Sequence, residues 1–287
     1  MKKTAGGSGF LEAMGMRAGS SRRRLMVIGA HPDDAEWMAG GTAALCRKAG
    51  WEVRFTAVTD GSAGHHQMKP GPLRRRRLVE GRRSAARIGA SYETLGEPDG
   101  RVYVNERSTA RVIRAIRRFA PDVLVCHRTC DYHRDHRYSG QLVLDASFVL
   151  TVPLVCPDTR AIPMVPVILY ACDFFTEGPP FRPDLVVDVT RALPVRTAMQ
   201  LDHASQYLEW IPWLGGRKEV GVGRPLKNLA EASRLLQRKP REEARRFAGL
   251  LRRKYGRRVV AAEAFQVSEY GRRLTPVELA RMVPGPR

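Results

Sequence analysis

Two short clusters in this chain carry side chains that could do chemistry together. His31-Pro32-Asp33-Asp34 offers one imidazole and two adjacent carboxylates; Asp131-Tyr132-His133-Arg134-Asp135-His136 adds two imidazoles and two more carboxylates. His31 and Asp34 stand three residues apart, as do His133 and His136. Pro32 fixes its own φ and restricts His31 to an extended conformation. That arrangement can aim His31 and Asp34 at one point and leave Asp33 free. Two histidines and one carboxylate around a water-bearing position is the donor pattern of a catalytic zinc site. Such a metal lowers the pKa of its water toward about 7. Each cluster alone has a plainer reading, because Asp is a preferred helix cap and a His pair in a polar loop is commonly solvated. Both clusters falling just after expected strands favours one shared metal site.

For the clusters to meet, the elements before them must be neighbours. Leu25–Ala30 is an apolar run that reads as a buried strand ending at His31. Beyond the turn, Met38, Thr42, Leu45 and Ala49 recur at helical spacing. Gly40-Gly41 inside that helix costs on the order of 1 kcal/mol per Gly relative to Ala, which fits either a frayed turn or close approach to a neighbouring element. Strands are expected at Trp51–Thr59, Tyr92–Leu95, Val123–Cys126, Val165–Ala171 and Leu185–Val189. Helices are expected at Leu73–Gly89, which carries the run Arg74–Arg77, at Asn105–Phe119, and from Leu193 to Glu209. Leu226–Tyr255 reads as a strongly charged helix or helix pair, and Trp210–Pro225 as a loop or lid. Strand–helix–strand alternation predicts an α/β fold, a mostly parallel sheet flanked by helices. Ligands of such sheets sit outside the carboxyl ends of the strands. No GxGxxG follows the first strand, so a dinucleotide-binding domain is disfavoured.

At 287 residues and 43% apolar content the chain can build one large α/β domain. We expect a basic tail over 1–24, the domain over 25–275 and a C-terminal tail over 276–287. Net charge is +20, from 49 Lys plus Arg against 29 Asp plus Glu. The arginines are spread along the chain, which argues against nucleic acid as principal partner. Cys126 and Cys130 with His127 between them could form a zinc half-site, but no second Cys pair completes it. Five cysteines without a CxxC pair read as buried thiols of a reducing, cytoplasmic protein. The N-terminus lacks a signal peptide's apolar core, and no stretch approaches the roughly 18 apolar residues of a membrane span.

The motifs together resemble the PIG-L/LmbE-like family of metal-dependent N-deacetylases. They are Ala30-His31-Pro32-Asp33-Asp34-Ala35-Glu36, Gly40-Gly41-Thr42, Thr59-Asp60-Gly61, Arg77-x-x-Glu80, Pro121-Asp122-Val123, His133-x-Asp135-His136, His203-x-Ser205-Gln206 and Ala262-Glu263-Ala264-Phe265. The resemblance implies a Rossmann-like sheet and removal of an acyl group, usually acetyl, from an amide nitrogen of an amino-sugar derivative or glycoconjugate. It implies His31, Asp34 and His136 as ligands of Zn2+, or of another divalent transition metal. Asp33 is then the general base, His133 stabilises the oxyanion or assists the leaving amine, and Asp135 supports the His pair. Arg77 and Asp99 are implied to contact substrate. The alternatives are an amidase of another small amide and a basic nucleic-acid-binding protein on the same fold. Arg134 stands where many members have Pro, and His65-His66 has no family counterpart and reads as a surface loop.

Overall fold

Side chains alternate across the first strand, and that alternation sets the layers. In β1 (Arg24–Gly29), Leu25 and Val27 enter one core while Met26 and Ile28 enter the other. The computed structural model describes residues 22–284; residues 1–21, most of the segment read as a basic tail, lie outside the described residues, as do 285–287. The further strands are β2 (Glu52–Thr59), β3 (Ser91–Glu97), β4 (Val123–Cys126), β5 (Val167–Ala171), β6 (Leu185–Asp188) and β7 (Ala262–Val267). They form one sheet in the order β3-β2-β1-β4-β5-β7-β6. β1 to β5 run parallel, and β7 is antiparallel to both its neighbours. β1 therefore lies between β2 and β4, where the order of winding reverses. An open sheet has its binding crevice at that switch point.

One face is covered by α1 (Asp34–Lys48), α2 (Pro70–Ala86) and α5 (Leu193–Leu201), the other by α3 (Glu106–Phe119) and α4 (Arg134–Val149). Helix α4 is absent from the sequence reading, which placed the second cluster in a polar loop. In the structure His133 is its N-cap, with the imidazole accepting from the Asp135 N–H at 3.1 Å, and His136 stands in its first turn. The helix expected from Leu193 to Glu209 is interrupted: a π-helical turn, Ser205–Trp210, follows α5. The charged segment resolves into α7 (Leu229–Leu236), α8 (Arg238–Arg246) and α9 (Ala248–Tyr255), after the short α6 (Ile211–Leu214). The segment expected to be a C-terminal tail contains helix α10 (Pro276–Met282), closed by a capping box from Thr275 and Glu278. Met282 and Val283 are buried against the main core. Among the described residues, no helix is long and apolar enough to cross a membrane.

The Gly40-Gly41 pair marks a break in α1. Ala39 has φ −148° and ψ 20°, so the regular hydrogen bonds fail there. A Cβ on Gly41 would lie 2.7 Å from the Val189 Cβ, so only glycine allows this approach. The freed groups are recapped by a buried ion pair. Glu263 on β7 accepts from the N–H groups of Gly41 (2.9 Å) and Thr42 (2.7 Å), and Arg196 on α5 donates to the Trp37 carbonyl (3.0 Å). Arg196 and Glu263 are themselves 3.1 Å apart. Glu263→Ala would strand a buried guanidinium and two N–H groups, and is expected to cost about 3–5 kcal/mol. Chemical denaturation of the variant measures this.

Arg117 on α3 is likewise buried, and its guanidinium donates to six backbone carbonyls between Val149 and Thr159. It gathers the end of α4 and the following turn in place of a carboxylate partner. Arg117→Ala is expected to lower stability by about 3 kcal/mol or more, since each stranded carbonyl costs about 1–3 kcal/mol. A shift of under 1 kcal/mol in the same measurement would contradict that role, given the scale of those costs.

Candidate active site

Four of the five parallel strands, β1, β3, β4 and β5, deliver polar residues to the cavity at their carboxyl ends. β1 runs into Ala30-His31 and β4 into His127, the two strands flanking the switch point. Asp99 lies just beyond β3, and Asp173 just beyond β5. Helix α4 can approach because Gly140 lacks a side chain: a Cβ there would sit 2.6 Å from the His127 carbonyl oxygen. The approach stacks the rings of His127 and His136, with centroids 4.1 Å apart and planes within 11°.

Of the ligand set implied by the family resemblance, Asp34 lies near both His31, which follows β1, and His136, which stands in α4. His31 Nδ1 is 3.4 Å from Asp34 Oδ2, and His136 Nε2 is 3.6 Å from Asp34 Oδ1. One nitrogen of each ring lies within 4.8 Å of its counterpart in a cluster of His31, His133 and His136. Among the described residues, the groups whose donors lie close enough to share one ion are His31–His133–His136, Asp34–His127–His136 and His31–Asp99–Asp135, so the site can hold a metal. Asp34 Oδ2 is already engaged, accepting from the His31 backbone N–H at 2.7 Å and facing His127 Nε2 at 3.1 Å. Its Oδ1 is turned toward His136.

The second cluster is divided differently from the expectation. Asp135 does not support the His pair: its carboxylate accepts from the backbone of Gly100 (2.7 Å) and Val102 (3.2 Å) and faces His31 Nε2 at 3.5 Å. Asp131 takes the place expected of it, with Oδ2 3.1 Å from His136 Nδ1. Its Oδ1 accepts from the His133 N–H at 2.7 Å. Such outer partners fix the orientation of a ligating imidazole. The sequence names Asp131 within the second cluster and His127 between Cys126 and Cys130, but assigns neither this role. The signal for His127 was its position immediately after β4, equivalent to that of the residues following β1.

Charge shapes these groups. Burial disfavours the charged form of His31, yet the carboxylates of Asp135, Asp34 and Asp99 hold its pKa well above the ordinary value. Burial likewise opposes ionisation of Asp34, but His136 and His127 hold it well below the carboxylate range. His133 is pushed down, by burial first and then by the neighbouring His31 and His136. A depressed imidazole pKa keeps a neutral ring available near neutral pH.

The four-arginine run has one buried member. Arg74 and Arg75 are exposed and Arg76 pairs with Glu80 and Glu209, whereas Arg77 is only 2% exposed. Arg77 donates to Asp33 Oδ1 at 2.5 Å and to the Gly61 carbonyl at 3.3 Å, and its Nη1 is 3.6 Å from Asp99 Oδ2. Asp99 Oδ1 in turn is 3.4 Å from His31 Nε2. Its carboxyl overcomes burial and drops to about 2 through His31 and Arg77. Arg77 and Asp99 thus stand at the centre with Asp33. Asp33 caps α1 in sequence, but its side chain makes no cap hydrogen bond and is free for Arg77.

His65-His66 lies in a structured loop rather than a free one. His65 Nε2 is 3.0 Å from Glu209 Oε2, and His66 stacks on Trp213 with centroids 4.4 Å apart. His203 is buried against Glu36 at 3.1 Å, packing the end of α5 onto α1. The cysteines lie outside the donor clusters found among the described residues: Cys126 is buried, and burial pushes its thiol pKa up. The donors open into a cavity of about 750 Å³, within the usual range for small-molecule sites.

The fold is similar to that of known deacetylases. Residues 26–147 match the model of the PIG-L family, described as GlcNAc-PI de-N-acetylase. The chain is 25% identical to diacetylchitobiose deacetylase of Thermococcus kodakarensis over 203 residues, 67% of this chain and 75% of that protein. It is also 25% identical to 4-oxalmesaconate hydratase of Pseudomonas putida over 178 residues, 59% of this chain and 68% of that protein. The structure of N,N'-diacetylchitobiose deacetylase from Pyrococcus horikoshii superposes with a TM-score of 0.67 at 18% identity, covering 86% of this chain and 84% of that one.

Proposed function

We propose that the protein is a metal-dependent hydrolase that removes an N-acyl group, acetyl in the simplest case, from an amino-sugar derivative or glycoconjugate. The supporting observation is that Asp34 lies 3.4 Å from His31 and 3.6 Å from His136, while the neighbouring Asp33 is bound to Arg77. His31, Asp34 and His136 would hold the ion, zinc or another divalent transition metal. Such an ion supplies a Lewis acid that polarises the amide carbonyl and acidifies water.

The chain's own groups do the rest. Asp33 Oδ1 is fixed by Arg77, which leaves Oδ2 to accept the proton of the attacking water. His133, with its backbone pinned by Asp131, stabilises the oxygen on which negative charge develops and assists departure of the amine. Asp135 and Asp99 orient the His31 ring. Arg77 reaches substrate only beside Asp33, so its first role is to place that base.

The hydratase relative raises a second reading, in which the same activated water adds across a carbon–carbon double bond. An unsaturated acid with several carboxylates would need free cations in the cavity. Of its four described lining cations, Arg77 pairs with Asp33, Arg128 with Asp173 and Lys239 with Glu243, which leaves Arg238 outside these ion pairs. That balance favours the amide. The test is a panel of N-acetylated amino sugars scored for acetate release beside unsaturated di- and tricarboxylates scored for loss of ultraviolet absorbance. Acetate release supports the proposal; hydration with no acetate release overturns it.

A further inference from the structure

Close to half of the chain's excess positive charge is gathered in one place. Residues 234–258 carry eleven Lys and Arg against two Glu, within a chain of net charge +20. Helices α8 and α9, with the intervening Phe247, bury Ala244, Phe247 and Leu251 in one cluster with Val186, Ala262 and Ala264 of the β6–β7 end of the sheet. Their outer sides therefore face away from the sheet in the same direction. On that surface Arg238, Arg241, Arg245, Arg246, Arg252 and Arg253 are exposed. The acids do little to offset them, because Glu243 is buried against Lys239. Lys239–Glu243 and Arg257–Asp188 are the ion pairs of this stretch among the described residues, and the six exposed arginines stand outside them. A surface of one sign repels itself and attracts an anion of matching extent.

This surface begins at the active site. Arg238 and Glu242 line the donor cavity, and the Arg246 guanidinium lies 4.8 Å from the ring centroid of Phe174, another lining residue. From there the cations lead outward. Seven residues separate Arg238 from Arg245, roughly 10 Å of helix, and α9 carries the charge further. A small anion held by Arg238 would leave the other arginines unused; a chain with one unit in the cavity would not. An anionic bilayer calls for apolar side chains among the cations to enter it, yet between Leu235 and Val260 no large apolar side chain is exposed. A nucleic acid matches the charge but brings no N-acyl amine to the donors. Guanidinium forks pair equally well with the carboxylates of an acidic glycan.

We propose that the outer faces of α8 and α9 dock an acidic polysaccharide, a chain in which N-acylated amino sugars alternate with anionic units, and present it to the cavity. The inference rests on the deacylase reading and adds to it the substrate class.

Metal-loaded full-length protein is titrated calorimetrically with three probes. These are a heparosan decasaccharide, in which five N-acetylglucosamine units alternate with five glucuronates; N-acetylated chitopentaose, with the five acetamides and no charge; and a thymidine hexanucleotide, with five charges and no acetamide. At low salt the decasaccharide is expected to bind about tenfold or more tightly than chitopentaose, since several exposed ion pairs that each contribute about twofold multiply to that order. The preference should vanish near 0.5 M salt, where exposed charges are screened. It should vanish also in the triple variant Arg241→Gln, Arg245→Gln, Arg252→Gln, with the melting temperature unchanged because these side chains are exposed and outside the ion pairs. The proposal is overturned if chitopentaose binds as tightly as the decasaccharide, or if the triple variant keeps the preference. It is overturned too if the hexanucleotide binds as tightly as the decasaccharide, which would make nucleic acid the partner. Acetate release is scored in parallel. The preference with no acetate from either glycan leaves the docking surface standing and removes the deacylase reading; acetate from both glycans without the preference does the reverse.

Discussion

Asp33→Asn is expected to lower amide hydrolysis by about 10²–10⁴-fold, the usual contribution of a positioned general base. The amide is nearly the shape of the carboxylate, and it can still accept from Arg77 through its oxygen, so the neighbouring loop keeps its anchor. What it cannot do is take a proton. The fall should therefore appear in kcat, with bound metal and melting temperature near those of the parent. Metal analysis, thermal unfolding and steady-state kinetics on one preparation check all three. Activity within a few-fold of the parent would remove Asp33 from the mechanism. Loss of metal along with activity would instead make Asp33 a ligand.

His136→Ala is expected to remove the metal. Losing even an outer-shell partner of a ligating histidine costs about 10–100-fold in metal affinity, and this change deletes a donor. Purified variant should hold little metal, and activity should fall to background. Asp131→Asn makes the graded comparison, because it weakens only the contact to His136 Nδ1. An intermediate affinity is expected there, read by competition with a chelator of known strength. Should His136→Ala retain metal at parental affinity, His127 and His133 become the imidazoles to examine, since His127 lies in a donor cluster with Asp34 and His133 in one with His31.

The site was more legible in the sequence than the elements that carry it. His31, Asp33 and Asp34 follow an apolar strand directly, so their position at the sheet's edge could be read from Leu25–Ala30 alone. The second cluster does lie against the first, but on a helix that its sequence does not announce. In α4 the first turn is made of Arg134, Asp135 and His136, and polar residues needed for chemistry masked the apolar period that begins further on. His127 was missed because its role depends on the β1–β4 pairing, which local pattern does not encode. Arg77 shows the opposite case. A run of four arginines reads as a solvated face, yet helical geometry sends its members in different directions, and only tertiary contact with Asp33 reveals which one turns inward. The C-terminal helix was read as a tail because Pro284 and Gly285 suggested loose chain, although Thr275 and Glu278 already carried a capping signal.

The break in α1 has a bearing on how the enzyme tolerates change. Asp33 and Asp34 ride on a single turn whose far end is clamped by Arg196 and Glu263, so the acidic pair is mounted apart from the residues beyond Ala39. Distortion introduced by repacking Leu45 or Cys46 would be absorbed at that joint before reaching the carboxylates. Sequence drift along the distal segment can then proceed while the reacting oxygens hold their aim.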